Sequence, residues 1–112
     1  MENKNTIENN LGITQITLNK KIHAFCRLGK DWYTNQLTIS FTPVNEIPDY
    51  VILDKMIETE CEQKDLIIEE VVAKVYSIIE TLAPSAKDIH VASYVDDSVP
   101  KAVQVKVEKF GN

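Results

Sequence analysis

From Ile16 to Cys26 the chain alternates, with Ile16, Leu18, Ile22, Ala24 and Cys26 on one side and Thr17, Asn19, Lys21, His23 and Phe25 on the other. A period of two marks a strand with one buried face, so this stretch predicts a long strand. "RLGKDWYTN" supplies the Gly, Asp and Asn of a turn, which would hold Trp32 and Tyr33. "QLTISFT" then alternates again with Leu37, Ile39 and Phe41 inward, and the pair reads as an antiparallel hairpin. Beyond a loop bracketed by Pro43 and Pro48 the period changes. Asp49 is placed to cap a helix in which Ile52 and Met56, and Leu53 and Ile57, recur at four-residue spacing until near Gln63. Asp65 stands where it would cap a second helix, whose Ile68, Val71, Val72, Val75, Ile78, Ile79 and Leu82 form one wide apolar stripe stopped by Pro84. "DIHVASY" and "AVQVKVEKF" return to alternation, with Ile89 and Val91, then Val103, Val105 and Val107, pointing inward. Asp96, Asp97, Ser98 and Pro100 form the turn between them.

The order β-β-α-α-β-β predicts an α+β domain: a four-stranded antiparallel sheet with both helices on one face. The other face would carry Thr17, Asn19, His23, Thr38, Ser40, His90, Gln104, Lys106 and Glu108, a polar surface that meets water or lines the inside of a larger assembly. Residues 1–12 are polar and Asn-rich, with too little apolar surface to offset the entropy of ordering, and read as a flexible tail. Residues 13–112 then form a single domain, since 112 residues support one core and not two.

Charge narrows the partners. Seventeen acids against 12 Lys and Arg give a net charge of -5, which argues against nucleic acid or an anionic membrane and for a small polar molecule or another protein. No apolar run is long enough to span a bilayer and no leader pattern opens the chain, so a cytoplasmic protein is expected. Cys26 and Cys61 fit no C-x-x-C spacing and are expected as free thiols. His23, Cys26 and His90 are the candidate metal ligands, but no His-x-His pair unites them, and neither a metal nor a cofactor is expected.

Glu69 lies about one turn into the second helix, where unpaired backbone N–H groups favour an ionised carboxylate. Such a group can simply complement the helix dipole from solvent. It can also accept two parallel hydrogen bonds from a pair of N–H donors on a ligand.

Three stretches carry a family resemblance. "DYVILDKMI", "LIIEEVVAKV" and "VQVKVEKFGN" are similar to the Asp-Tyr-Ala run, the Leu-Ile-Glu-x-x-Ala run and the closing Val/Ile strand of dihydroneopterin aldolases, which have the tunnelling fold. The resemblance runs from Ile16 to the C-terminus. It implies retro-aldol cleavage of dihydroneopterin to 6-hydroxymethyl-dihydropterin and glycolaldehyde in folate biosynthesis, without metal or Schiff base. It also implies a homo-oligomer, tetramer or octamer, with each active site at a subunit interface. Tyr50 matches the family's proton-donating tyrosine, and its other reading is an amphipathic residue resting on the sheet edge. Glu69 matches the pterin-anchoring glutamate, preceded by Ile67 and Ile68; a gapless count from Tyr50 reaches Glu70 instead.

Two departures bear on chemistry. Where the family has a Ser-Lys or Thr-Lys pair this chain has Ser93-Tyr94, which leaves Tyr94 or the displaced Lys101 as candidate base, and Tyr33 and Thr34 replace the family's first-turn glutamate. The alternative is therefore a catalytically degenerate pterin- or purine-binding oligomer of the same fold. Cys26 resembles the nucleophile of the nitrile reductases of this fold, although their Glu-Ser-Lys-Ser-Leu run and His-Glu pair are absent; its other reading is a half-buried structural thiol.

Overall fold

In the computed structural model, which describes residues 6–95 and 105–111, the alternating stretch is strand β2 (Ile16–Cys26) and the next is β3 (Asp31–Thr42). They pair antiparallel along their whole length, from Ile16 opposite Phe41 to Cys26 opposite Asp31. The turn is tighter than expected. It occupies only residues 27–30, with Lys30 at a φ of 55°, so Trp32 and Tyr33 belong to β3 rather than to the loop. Period-two placement then sends Tyr33 into the core and leaves Trp32 about half exposed on the opposite face.

Asp49 caps helix α1 (Tyr50–Cys61) as expected, its Oδ1 accepting from Val51 N at 2.8 Å and Ile52 N at 3.3 Å. The second helix, α2 (Ile68–Leu82), starts differently from the expectation. Asp65 does not cap it; it lies in a two-residue strand, β5 (Lys64–Asp65), that pairs parallel with β2 at Ala24 and Phe25. Ile67 takes the cap position and has no acceptor to offer, so Glu70 reaches back and accepts from Ile67 N at 3.1 Å.

β6 (Lys87–Val95) pairs with β3, and β7 (Val105–Phe110) pairs with β6. The sheet order is β5-β2-β3-β6-β7. Five strands replace the expected four, because the segment between the helices was long enough to add a short parallel edge. Thr6–Glu8 (β1), inside the segment read as a tail, pairs with Glu46–Pro48 (β4). Asn9 ties the following segment to the chain before β4, its backbone N donating to Asn45 O at 3.0 Å and its Nδ2 to Val44 O at 3.3 Å and Ile13 O at 3.0 Å. Val103 and Gln104, and the turn at Asp96, Asp97, Ser98 and Pro100, lie outside the described residues.

Both helices cover one face of the sheet. The α2 stripe packs there, with Val71, Val75 and Ile79 fully buried against Ile22, Leu37, Ile39, Phe41 and Val91. Truncating one such Ile or Leu to Ala costs about 2–5 kcal/mol. Lys20 also lies on this face, its ammonium 2.6 Å from Asp54 and 2.7 Å from Glu58 on α1. Among the described residues no helix is long and apolar enough to cross a membrane.

Candidate functional site

The hairpin end and the start of α2 meet at one end of the sheet and leave a cleft of about 450 Å³. Cys26 closes β2 on one wall, and Asp31 and Tyr33 open β3 beside it. Ile67, Ile68 and Glu69 at the start of α2, with Val95 and Val105, also line the cleft. Apolar walls with a few converging polar groups, at this volume, are the usual make-up of a small-molecule site.

The two acids that the sequence left as alternatives have different surroundings. Glu70 Oε1 accepts from Arg27 Nη1 at 2.7 Å as well as from Ile67 N, and Arg27 Nη1 also stands 3.6 Å from Asp65. The Arg27 hydrogen bond first, and the Ile67 N–H second, hold the Glu70 carboxyl below its usual value. Glu69 makes no side-chain hydrogen bond or ion pair among the described residues, is exposed, and faces the cleft. Its carboxylate is thus available to a ligand and that of Glu70 is engaged.

Cys26 is half-buried, and its Sγ accepts from Gly29 N at 3.4 Å across the turn. Asp31, its hairpin partner, was not singled out in the sequence, because the turn was read as reaching past it. Starting β3 at Asp31 would have placed a carboxylate opposite the thiol. Tyr33, expected with Trp32 in the turn as a cap on a flat ring or a contact with a neighbouring subunit, is instead a core residue of β3. Its hydroxyl donates to Leu66 O at 2.5 Å, and burial, the main cause, pushes its pKa up to about 12.

The other site expectations fall elsewhere. Tyr50 is about half exposed and lines a separate, smaller cleft with Leu18, Lys20 and Asp54. Along β2 that cleft is six to eight residues from Cys26, roughly 20–25 Å at ~3.3 Å per residue. Tyr94 sits on the face of the sheet away from the helices, under the Lys106 ammonium at 5.1 Å. Lys101 lies outside the described residues. A single chain therefore unites Ile67, Ile68 and Glu69 and brings neither Tyr50 nor Tyr94 to them. The candidate metal ligands are also apart: His23 pairs with Glu62, His90 stacks on Phe110 and meets Glu108 at 2.9 Å, and Cys26 points to the other face. Among the described residues no group of three or more His, Cys, Asp or Glu side chains is arranged to hold a metal ion.

No protein-family model and no curated protein sequence matches the chain. Solved structures do. The apo form of the archaeosine synthase QueF-Like superposes with a TM-score of 0.76 at 12% identity, covering 88% of this chain and 93% of that one. Dihydroneopterin aldolase from Burkholderia thailendensis, bound to guanine, superposes with a TM-score of 0.61 at 12% identity, covering 89% and 91%. The chain has the tunnelling fold. At this identity the likeness establishes the architecture, and the chemistry has to be argued from the cleft.

Proposed function

We propose that the protein, as a cytoplasmic homo-oligomer, binds a pterin or guanine-type ring in this cleft by its donor edge, with Glu69 as the anchor. The observation that carries this reading is the contrast between the acids: Glu70 is engaged by Arg27 and Ile67 N, whereas Glu69 is free at the mouth of an apolar cleft of suitable volume. Ile67 and Ile68 supply the flat apolar wall beside the ring. That one fold neighbour was solved with guanine, whose donor edge matches that of a pterin, supports the ligand class.

The finer reading is retro-aldol cleavage of dihydroneopterin to 6-hydroxymethyl-dihydropterin and glycolaldehyde. In it the Tyr50 phenol of a neighbouring subunit reaches the cleft as proton donor, because Tyr50 of the same chain is too distant, and Lys101 or a neighbouring subunit's Tyr94 removes the side-chain hydroxyl proton. A base at this step typically contributes 10²- to 10⁴-fold.

One observation favours a second chemistry. Cys26, Asp31 and Glu69 face the same cleft of a single chain, so a ring anchored on Glu69 would present its far substituent towards a thiol and a carboxyl group. With a nitrile there, Cys26 passes its proton to Asp31, sulfur bonds to the nitrile carbon, and the nitrogen takes the proton from Asp31. The sum is an addition with no leaving group and no redox change. An archaeosine synthase among the fold neighbours supports this purine-side reading.

The test measures binding of guanine and of neopterin by calorimetry, glycolaldehyde release from dihydroneopterin, and intact mass after incubation with a nitrile-bearing deazaguanine. Binding of either ring, lost in Glu69→Gln, is the expected result. No binding of either ring would overturn the proposal. Glycolaldehyde selects the aldolase chemistry, and a mass increase equal to the nitrile selects the thiol chemistry.

A further inference from the structure

Tyr33, Asn35 and Ser93 place three polar side chains together on the largely apolar inner face of the sheet. Ser93 on β6 and Asn35 on β3 are both fully buried, and Ser93 Oγ donates to Asn35 Oδ1 at 2.7 Å. That contact fixes which way the amide is turned. The Asn35 Nδ2 has no hydrogen-bond partner, although a buried donor left unpaired is expensive. Two residues back on the same face, the Tyr33 hydroxyl makes its own hydrogen bond, donating to Leu66 O.

Leu66 is the hinge between the sheet edge and α2. Its N–H donates to Phe25 O at 3.1 Å and its carbonyl is held by Tyr33, so both of its backbone polar groups are fixed. Only Ile67 and Ile68 separate it from Glu69. Neither of them has a polar side chain to orient the helix start.

We infer that Tyr33 is a positioning residue that sets the Glu69 carboxylate by holding Leu66 O. The inference rests on the reading of Glu69 as the ring anchor and adds a specificity determinant to it. Removing the hydroxyl frees the Leu66 carbonyl, lets the first turn of α2 shift, and spoils the parallel approach of two donors to Glu69.

The experiment compares wild type, Tyr33→Phe, Ser93→Ala, Glu69→Gln and Tyr33→Phe/Glu69→Gln. Binding of guanine and neopterin is measured by calorimetry, and amide hydrogen exchange is followed at Glu70 and Val71, whose N–H groups bond to Ile67 O. Tyr33→Phe should weaken binding about 10- to 100-fold, speed exchange at those two amides and leave the core of β3 and β6 protected. Ser93→Ala, which leaves the Tyr33 hydroxyl on Leu66 O, should change binding and exchange at those amides little. In the Glu69→Gln background, Tyr33→Phe should change binding little, because the group it positions is already altered. Unchanged exchange at Glu70 and Val71 in Tyr33→Phe would overturn the inference, as would undiminished binding. If the wild type binds neither ring, the functional reading falls, and the exchange data alone decide whether Tyr33 holds the helix start.

Discussion

The Arg27 guanidinium donates to Glu70 Oε1 at 2.7 Å, bridging residues 43 positions apart and engaging the acid that a one-residue shift in register would make the ligand anchor. Glu69→Gln should therefore weaken binding of guanine or neopterin by about 30-fold to several hundred-fold, because one acceptor becomes a donor facing the ligand's own donors. Glu70→Gln should leave affinity within a few-fold of wild type. Calorimetry on both variants checks this, and the reverse pattern would move the anchor to Glu70.

Glu70 has an acid signature. Its carboxyl is held below the usual 4.5, first by Arg27 and next by Ile67 N–H. A depressed carboxyl contributes stability that is present above the unfolded-state value and lost as pH falls through the folded one. Glu70→Gln should lower the melting temperature at neutral pH, and the gap from wild type should close as the pH is taken below about 4.5. Parallel melts across acid pH measure it.

Tyr33 has the opposite sign. Burial raises its phenol from 10.0 to about 12, so its contribution is intact below pH 10.0 and is lost as the pH climbs through about 12. The difference between the tyrosinate absorbance titrations of wild type and Tyr33→Phe should isolate one group that ionises near 12 or on unfolding. A group ionising near 10 would mean that Tyr33 is exposed in solution.

The sheet ends at β7 on one side, while β5 covers β2 only at Ala24 and Phe25 on the other. Open edges and a largely polar outer face favour pairing between copies. Native mass spectrometry at micromolar concentration should find a tetramer or octamer. Monomer alone would remove the route by which Tyr50 reaches a neighbour's cleft.

The two chemistries respond to different substitutions. Cys26→Ala should abolish any covalent adduct and spare glycolaldehyde release. Lys101→Ala should abolish release if the base has moved there, and Tyr94→Lys should create release if the base has been lost. Mass spectrometry and an aldehyde assay on the same three proteins separate the outcomes.

Periodicity alone revealed the long strands and the α2 stripe, because burial on one face forces a period of 2 or of 3.6 on the side chains. It failed where pairing, rather than patterning, decides structure. β5 is two residues long, too short for any period, and exists because Gln63 N and Leu66 N find His23 O and Phe25 O on the edge of β2. The missing cap on α2 follows from that capture of Asp65. Glu69, Ile67 and Ile68 were legible as neighbours because they are contiguous, while their role came only from the resemblance. Asp31 and Tyr33 were not, since their place depends on a turn of four residues, 27–30, rather than a longer one.

Lys20 has a bearing on how α1 can sit. Asp54 and Glu58 are one helical turn apart, and both grip the same ammonium. Sliding α1 by one turn, ~5.4 Å along its axis, would keep one carboxylate near Lys20 and carry the other beyond it, so a single slip has a built-in mark of error. An apolar side chain at that position would let the smooth ridge of Leu53 and Ile57 settle in either register. The lysine works as a vernier on the helix, and a Lys20→Met protein should remain folded while its α1 resonances broaden between two alignments.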